Sequence, residues 1–569
     1  MTDNIKKRLK DVIMTKRRGG TMRKVSRIFL LLVIGALFMI AIGCSNQEND
    51  KNEQSKQIDM RNQQKEQELI AVHDAAEKGK LPSQPWQVGK TTFQQVQDQL
   101  GKVDKVERDR KGIYASYEKE KLKLSLTENK KVYKLRIAES KFVDITQLQT
   151  KEVLGVPDGL EQVGGQTAFV YELNDEYQLT LLFSSAENDA TIVEIAVLHK
   201  PSAEIQDLIQ EMQLDEKLGQ LILMGVQGPQ LDSVAKEFIQ DRHVGGIILF
   251  KRNFVSVSQS LSLINDLKQA NTNAKTPLFI SADEEGGRVT RLPKELEKTP
   301  SNRKIGQAEN GKYAYDVGEL IGRKMSAFGL NMNFAPVLDV DSNPNNPVIG
   351  DRSYGHDARL VSKAGIEQAK GMMSQHVIPV VKHFPGHGDT SVDSHIDLPV
   401  IKHTKERLKN VELFPFKQAI EGGVNAIMVG HLLVEAYDPK TPASFSKIII
   451  QDVLRDKLQF DGVVITDDLV MGAIEKNYTI GDAAVQSIAA GGDILLVGHK
   501  YTPVDELLTA LQTAISEGVI TEQRVNQSVE RILLLKQQYK VVDIPQEQVH
   551  VEELNEQTKE LVKKIQSGI

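Results

Sequence analysis

The chain has 569 residues, 40% hydrophobic and 5% aromatic, enough for about two to four domains with real cores, so disorder throughout is excluded. A single cysteine excludes a disulfide framework and any zinc or iron–sulfur site built from this chain's thiolates alone. The first 43 residues hold ten Lys and Arg against two Asp, a charge of +8, so in a chain of net charge −6 the remainder carries −14, which argues against nucleic acid as a partner.

Arg23, Lys24 and Arg27 precede an unbroken apolar run from Ile28 to Gly43, followed by Cys44 and a polar string. Charged, apolar and small-residue regions in that order read as an export signal over 1–43. The run has 16 residues, fewer than the roughly 20 a spanning helix needs. Ala41-Ile42-Gly43-Cys44 resembles the bacterial lipoprotein signal, which implies that Cys44 is lipid-modified and holds the protein on the outer face of the cell membrane. The first twenty residues add nothing that signal needs, which leaves Met14 and Met22 as candidate starts. Residues 44–80 then form the lipidated Cys and a tether rich in Gln, Asn, Lys and Glu, expected to be a coil or a loose helix because it has little to bury.

Residues 84–200 change character. Leu122-Lys-Leu-Ser-Leu126 and Val132 to Ile137 alternate as strands with one buried face. Leu100-Gly101 recurs as Leu154-Gly155, Tyr117 as Tyr171, Leu124-x-Leu126 as Leu179-x-Leu181, and Leu135-x-Ile137 as Val193-x-Ile195. The spacing predicts a small duplicated α+β domain, which resembles a domain of unassigned function found in secreted Bacillus-type proteins. It carries no catalytic cluster and is expected to bind or to space.

From 203 to 540, short apolar strands alternate with helical stretches: 221–226, 246–250, 278–282, 333–338, 378–381, 426–429, 462–466 and 493–497. Eight such units predict an α/β fold, a TIM-type (β/α)8 barrel, with its reactive groups where strands end. A doubly wound sheet is the competitor, weakened because no Gly-x-Gly-x-x-Gly turn follows a strand. Residues 541–569 form a tail, with an amphipathic helix from Glu552 to Lys564.

Ionisable groups gather at one predicted rim. Strand three ends in Asp283-Glu284-Glu285-Gly286-Gly287-Arg288-Val289-Thr290-Arg291, strand five in Lys382-His383, and strand seven in Asp467-Asp468. Successive strand residues point to opposite sides, so one of that last pair at most should face a bound ligand. The loop Phe384-Pro385-Gly386-His387-Gly388-Asp389-Thr390 carries on to Asp393 and His395, close enough for the carboxylate to polarise the imidazole for proton transfer near neutral pH.

These residues are similar to a known family. Lys382 to Thr390 with Asp393-Ser394-His395 and Leu398-Pro399, Asp283-x-Glu285-Gly286-Gly287-Arg288, Ile349-Gly350-x-Arg352-Ser353-Tyr354-Gly355 and Ile465-Thr466-Asp467-Asp468-Leu469 resemble family 3 glycoside hydrolases of the β-N-acetylglucosaminidase type. Glu284 stands where a Gln is common. The resemblance implies that Asp467 is the nucleophile and that His395, held by Asp393, protonates the leaving oxygen and then deprotonates water. Asp283, Arg291, Arg352, Lys382 and His383 would bind the sugar. No cofactor or metal is implied.

The expected partner is a carbohydrate, terminal β-linked N-acetylglucosamine on peptidoglycan fragments, with a membrane reached through the lipid and no nucleic acid. Three readings compete on the same residues: a phosphorylase or chitin-fragment hydrolase; a metal-dependent amidohydrolase using His383, His387, His395, Asp389 and Asp393; and a glycan-binding lipoprotein without catalysis.

Overall fold

The computed structural model describes residues 49–109, 112–138, 142, 144–163, 165–390 and 398–567. The signal, Cys44, Asp393 and His395 lie outside the described residues. The chain divides into two units, Met1–Ile70 and Ala71–Ile569. Where a coil or loose helix was expected, one continuous helix runs from Asn49 to Ala76. Its Gln, Lys and Glu are straight-chain residues that lose little rotamer freedom in a helix, and its C-terminal turns bury Leu69, Val72 and Ala76. No described helix is long and apolar enough to cross a membrane.

The predicted duplication is plain in the local chemistry. Helix Phe93–Leu100 starts with a reciprocal cap between Thr92 and Gln95 and stops at Gly101, φ 81°. Helix Gln147–Leu154 starts with the same cap between Thr146 and Gln149 and stops at Gly155, φ 89°. A left-handed φ at the stop is cheap only for glycine. Tyr117 and Tyr171 then donate to the carbonyls of Gly101 and Gly155 at 3.5 and 3.2 Å, and Asp104 and Asp158 each accept from the amide of Glu118 or Glu172 at 2.8 Å. Four antiparallel strands follow each helix, and Val132–Ile137 pairs with Ile192–His199, so the copies merge into one eight-stranded sheet.

One repeat match needs correcting. Thr92 bridges Lys131 while Thr146 bridges Thr191, so the last strands correspond at an offset of 60. Leu135 and Ile137 therefore match the buried Ile195 and Val197, whereas Val193 is only half-buried. The second copy spends extra residues in its turns, and sequence spacing alone drifted past them.

The sheet is anchored on the barrel by its Thr127–Lys131 turn. The Asn129 amide donates to Glu530 at 3.1 Å, its side chain donates to the Gln527 carbonyl at 3.3 Å, and Lys131 pairs with Asp461.

All eight predicted barrel strands are present and close on one another in parallel: Ile222–Gly225, Gly246–Leu249, Phe279–Ala282, Met332–Asn333, Ile378–Phe384, Ala426–Val429, Val463–Asp468 and Ile494–Val497. Nearly every strand residue is buried, as strands covered on both faces require. Two bounds differ from expectation. The fourth strand keeps only two ladder residues and touches its neighbour again at a single Val337–Lys382 bridge, whereas the fifth runs on through Lys382 and His383 to Phe384. The tail forms helix Val551–Ser567, which packs on helix Gly311–Phe328 and buries Leu554 and Leu561.

Candidate active site

A cavity of about 410 Å³ opens at the carboxyl ends of the barrel strands. Asp283, Arg291, Arg352, Lys382, His383 and Asp467 all line it, so six predicted residues from four separate stretches of chain meet in one place.

The floor is a charge network. Lys382 is almost fully buried, and its ammonium donates to Asp283 at 2.7 Å and lies 2.8 Å from Glu285. Arg352 grips Glu285 with two parallel bonds, Nε to Oε2 at 2.8 Å and Nη2 to Oε1 at 2.7 Å. Burial pushes the Glu285 carboxyl up, but Arg352 and Lys382 outweigh it and hold the group far below the usual carboxylate range. Burial likewise pushes the Arg352 guanidinium down, and Glu285 more than reverses it. Arg352 thus spends its fork on Glu285. Arg291 approaches Asp283 at 3.5 Å, which leaves Asp283 flanked by two cations and still bordering the cavity.

Glu284, the departure from the common Gln, points away from this network. It accepts from the Thr290 hydroxyl at 2.7 Å and from the amides of Arg291 and Leu292 at 2.8 and 3.2 Å, so it shapes the turn that presents Arg291.

A second network holds the imidazoles. Asp339 is fully buried, accepts from His383 Nδ1 at 2.6 Å and from the His387 amide at 2.6 Å, and receives the His383 amide at 3.2 Å. Burial raises its carboxyl, yet His383 and His387 together bring it below its ordinary value. The Thr390 hydroxyl meets His387 Nδ1 at 2.7 Å. Burial, then the neighbouring His383, push the His387 imidazole down to about 4.

Both Asp467 and Asp468 border the cavity, although strict strand alternation allows one. Their strand slips register against Ile494–Val497 between Ile465 and Asp468, and such an irregularity re-aims side chains. Their oxygens nevertheless differ. Asp468 accepts from the amides of Val470 at 3.2 Å and Gly498 at 3.0 Å, and meets His499 at 3.1 Å. Asp467 accepts from the Asp468 amide at 2.9 Å. Burial pushes the Asp467 carboxyl up, but His431, His383, the Asp468 amide and Lys382 prevail and keep it below the usual carboxylate range. His431 is itself fully buried, fixed by the Ser444 hydroxyl at 2.7 Å and the Asp468 carbonyl at 3.1 Å. Asp467 thus presents an ionised carboxylate to the cavity, the form in which a carboxyl group can act as a nucleophile.

Sequence reasoning assigned no role to Asp339, His431, Ser444 or His499. The signal for two of them was present: Asp339 follows the fourth predicted strand directly, and His431 comes two residues after the sixth. The metal-centred alternative is not supported among the described residues. Asp389 groups with His403 and Glu412, not with His383 and His387.

A barrel with its acids and imidazoles at this rim has the architecture of a barrel glycosidase. Residues 213–535 match the family model "Glycosyl hydrolase family 3 N terminal domain", and residues 69–198 match "Domain of unknown function (DUF4309)". The chain belongs to glycosyl hydrolase family 3. It is 35% identical over 324 residues to β-hexosaminidase A of Pseudoalteromonas piscicida, a match covering 53% of this chain and 54% of that one. It is 31% identical over 335 residues to a β-hexosaminidase of Nitrosomonas eutropha, covering 57% of this chain and 95% of that one. The chain thus spans about half the length of the first relative and nearly all of the second. A solved family 3 β-N-acetylglucosaminidase from Paenibacillus sp. superposes with a TM-score of 0.60 at 43% identity, covering 62% of this chain and 69% of that one.

Proposed function

We propose that the protein removes terminal β-linked N-acetylglucosamine from peptidoglycan fragments by a retaining double displacement. The observation that carries this reading is Asp467, an ionised carboxylate bordering the same cavity as Asp283, Lys382 and His383. Asp467 attacks the anomeric carbon, the glycosidic C–O bond breaks, and the leaving oxygen takes a proton from His395, oriented by Asp393. Water then gives its proton back to His395 and attacks the anomeric carbon, and Asp467 departs as carboxylate. Asp283, with Lys382 and Arg291 beside it, is a hydrogen-bond acceptor for sugar hydroxyls, and the cations supply donors. Arg352 acts through Glu285, keeping that floor charged and rigid.

Cys44, lipid-modified and made the new N-terminus by signal removal, would hold the enzyme on the outer face of the cell membrane, where wall fragments are produced. Cells grown with a tagged fatty acid are expected to label the wild type and not Cys44→Ala, and a wild type that takes up no label would contradict the anchor.

The substrate is tested by incubating the enzyme with muropeptides, with and without phosphate. Free N-acetylglucosamine in both cases supports hydrolysis of wall fragments. Release from chitin oligosaccharides alone would reassign the substrate, and a sugar 1-phosphate would reassign the reaction.

A further inference from the structure

Outside the catalytic cavity, three metal-ligating side chains from three separate places converge. Asp389 follows the Gly386–Gly388 turn after the fifth barrel strand, His403 follows the short strand Val400–Ile401, and Glu412 lies between helices Lys405–Asn410 and Phe414–Glu421. None of the three lines the cavity. Each offers one ligand atom, and those atoms all lie within 4.8 Å of one another.

Glu412 gives the second, independent observation. It is 3% exposed. Its Oε1 accepts from Arg407 Nη2 at 3.1 Å and Nε at 3.3 Å, whereas its buried Oε2 has no hydrogen-bond partner. A buried carboxylate oxygen left unpaired is destabilising unless something positive meets it. The chain approaches Glu412 closely at that point: a Cβ on Gly386, φ 126°, would sit 2.8 Å from the Glu412 Cβ. Beside it, His403 Nε2 contacts Asp389 Oδ2. A His–Asp pair alone would need no third group, but one imidazole nitrogen and two carboxylates around a common point make a three-ligand set for a borderline cation, with water completing a tetrahedron.

We propose that Asp389, His403 and Glu412 bind a zinc-class divalent cation that serves a structural role. The ion would staple the two ends of the 389–403 stretch to the Glu412 turn, and that stretch contains Asp393 and His395 in sequence. Ligands held apart in the unfolded chain are brought together only in the folded one, so binding stabilises the fold.

The test uses the full-length protein, stripped by dialysis against a chelator, given zinc chloride and desalted. Zinc per chain is read by elemental mass spectrometry and the melting temperature by circular dichroism. Wild type should retain about one zinc per chain and melt several degrees higher with zinc than without. His403→Ala and the near-isosteric Glu412→Gln should each retain less than about 0.2 zinc and show no rise, while His383→Ala, altered inside the catalytic cavity, should retain zinc like wild type. The proposal is overturned if wild type holds no zinc, if both ligand variants still bind it, or if only His383→Ala loses it. Because the readouts are metal content and melting, failure here leaves the glycosidase reading untouched.

Discussion

The buried carboxylate of Asp339 lies 2.6 Å from Nδ1 of His383 and 2.6 Å from the amide of His387, so one side chain aligns the histidine at the end of the fifth strand and the one in the loop after it. A hydrogen bond on Nδ1 fixes the tautomer and leaves Nε2 as the nitrogen available to a ligand. Hydrogen bonds to charged groups contribute about 1.5–3 kcal/mol, so Asp339→Asn should lower kcat/KM on an aryl β-N-acetylglucosaminide by about 10- to 100-fold. Unchanged kinetics would remove Asp339 from the site.

Lys382 is buried between Asp283 and Glu285, and it has the length to neutralise both. Removing one partner of a buried charge set strands the others, at about 3–5 kcal/mol. Lys382→Met should therefore shift the denaturant midpoint of the barrel markedly downward, whereas Lys312→Met, at an exposed ion pair with Asp316, should not. Equal midpoints for the two variants would show that the network carries little of the barrel's stability.

His387 makes a pH prediction with a definite sign. Its folded-state value lies at about 4, against 6.5 for the free imidazole, so between those values the unfolded chain binds a proton that the folded chain refuses. Stability conferred by the neutral imidazole is complete above about pH 6.5 and declines toward pH 4, a loss of about 3 kcal/mol over that window. Denaturant midpoints measured across pH 4–7 should fall more steeply for wild type than for His387→Asn. Parallel curves would refute the assignment.

Proton donation to the leaving group is assigned to His395 from the sequence, and leaving-group chemistry tests it. A good phenolate needs little protonation, so His395→Ala should cost far less on a nitrophenyl glycoside than on an alkyl glycoside. The check is kcat/KM for both substrates in both proteins. Equal losses on the two would point to a positional role for His395, with the acid elsewhere.

How much of this was legible in sequence follows from what each signal measures. The eight apolar strands were readable because a buried parallel strand must be apolar along its length, and acids directly after them were readable because strand ends face one rim. Asp467, Asp283 and Lys382 stood out for that reason. Glu285 was visible in its motif, but its role was not, because the bidentate grip of Arg352 depends on a fold that brings position 352 back to 285. His431 follows its strand only after an intervening residue, a weaker form of the same signal, and Glu412 sits between two helices with no strand end to mark it. That both Asp467 and Asp468 border the cavity goes with a register slip that no local pattern records.

Kinetic loss in Asp467→Ala alone could arise from disturbed packing around His431, so the most direct test is to trap the intermediate. A fluorinated N-acetylglucosaminyl donor that glycosylates the enzyme faster than the product hydrolyses should leave one sugar on the protein, and peptide mass spectrometry should place it on Asp467. Asp468→Asn should still be labelled, because the Asp468 oxygens, although at the cavity, are taken up by Val470, Gly498 and His499. A sugar found on Asp468 or on any other residue, or an active enzyme that never accumulates the adduct, would contradict the account.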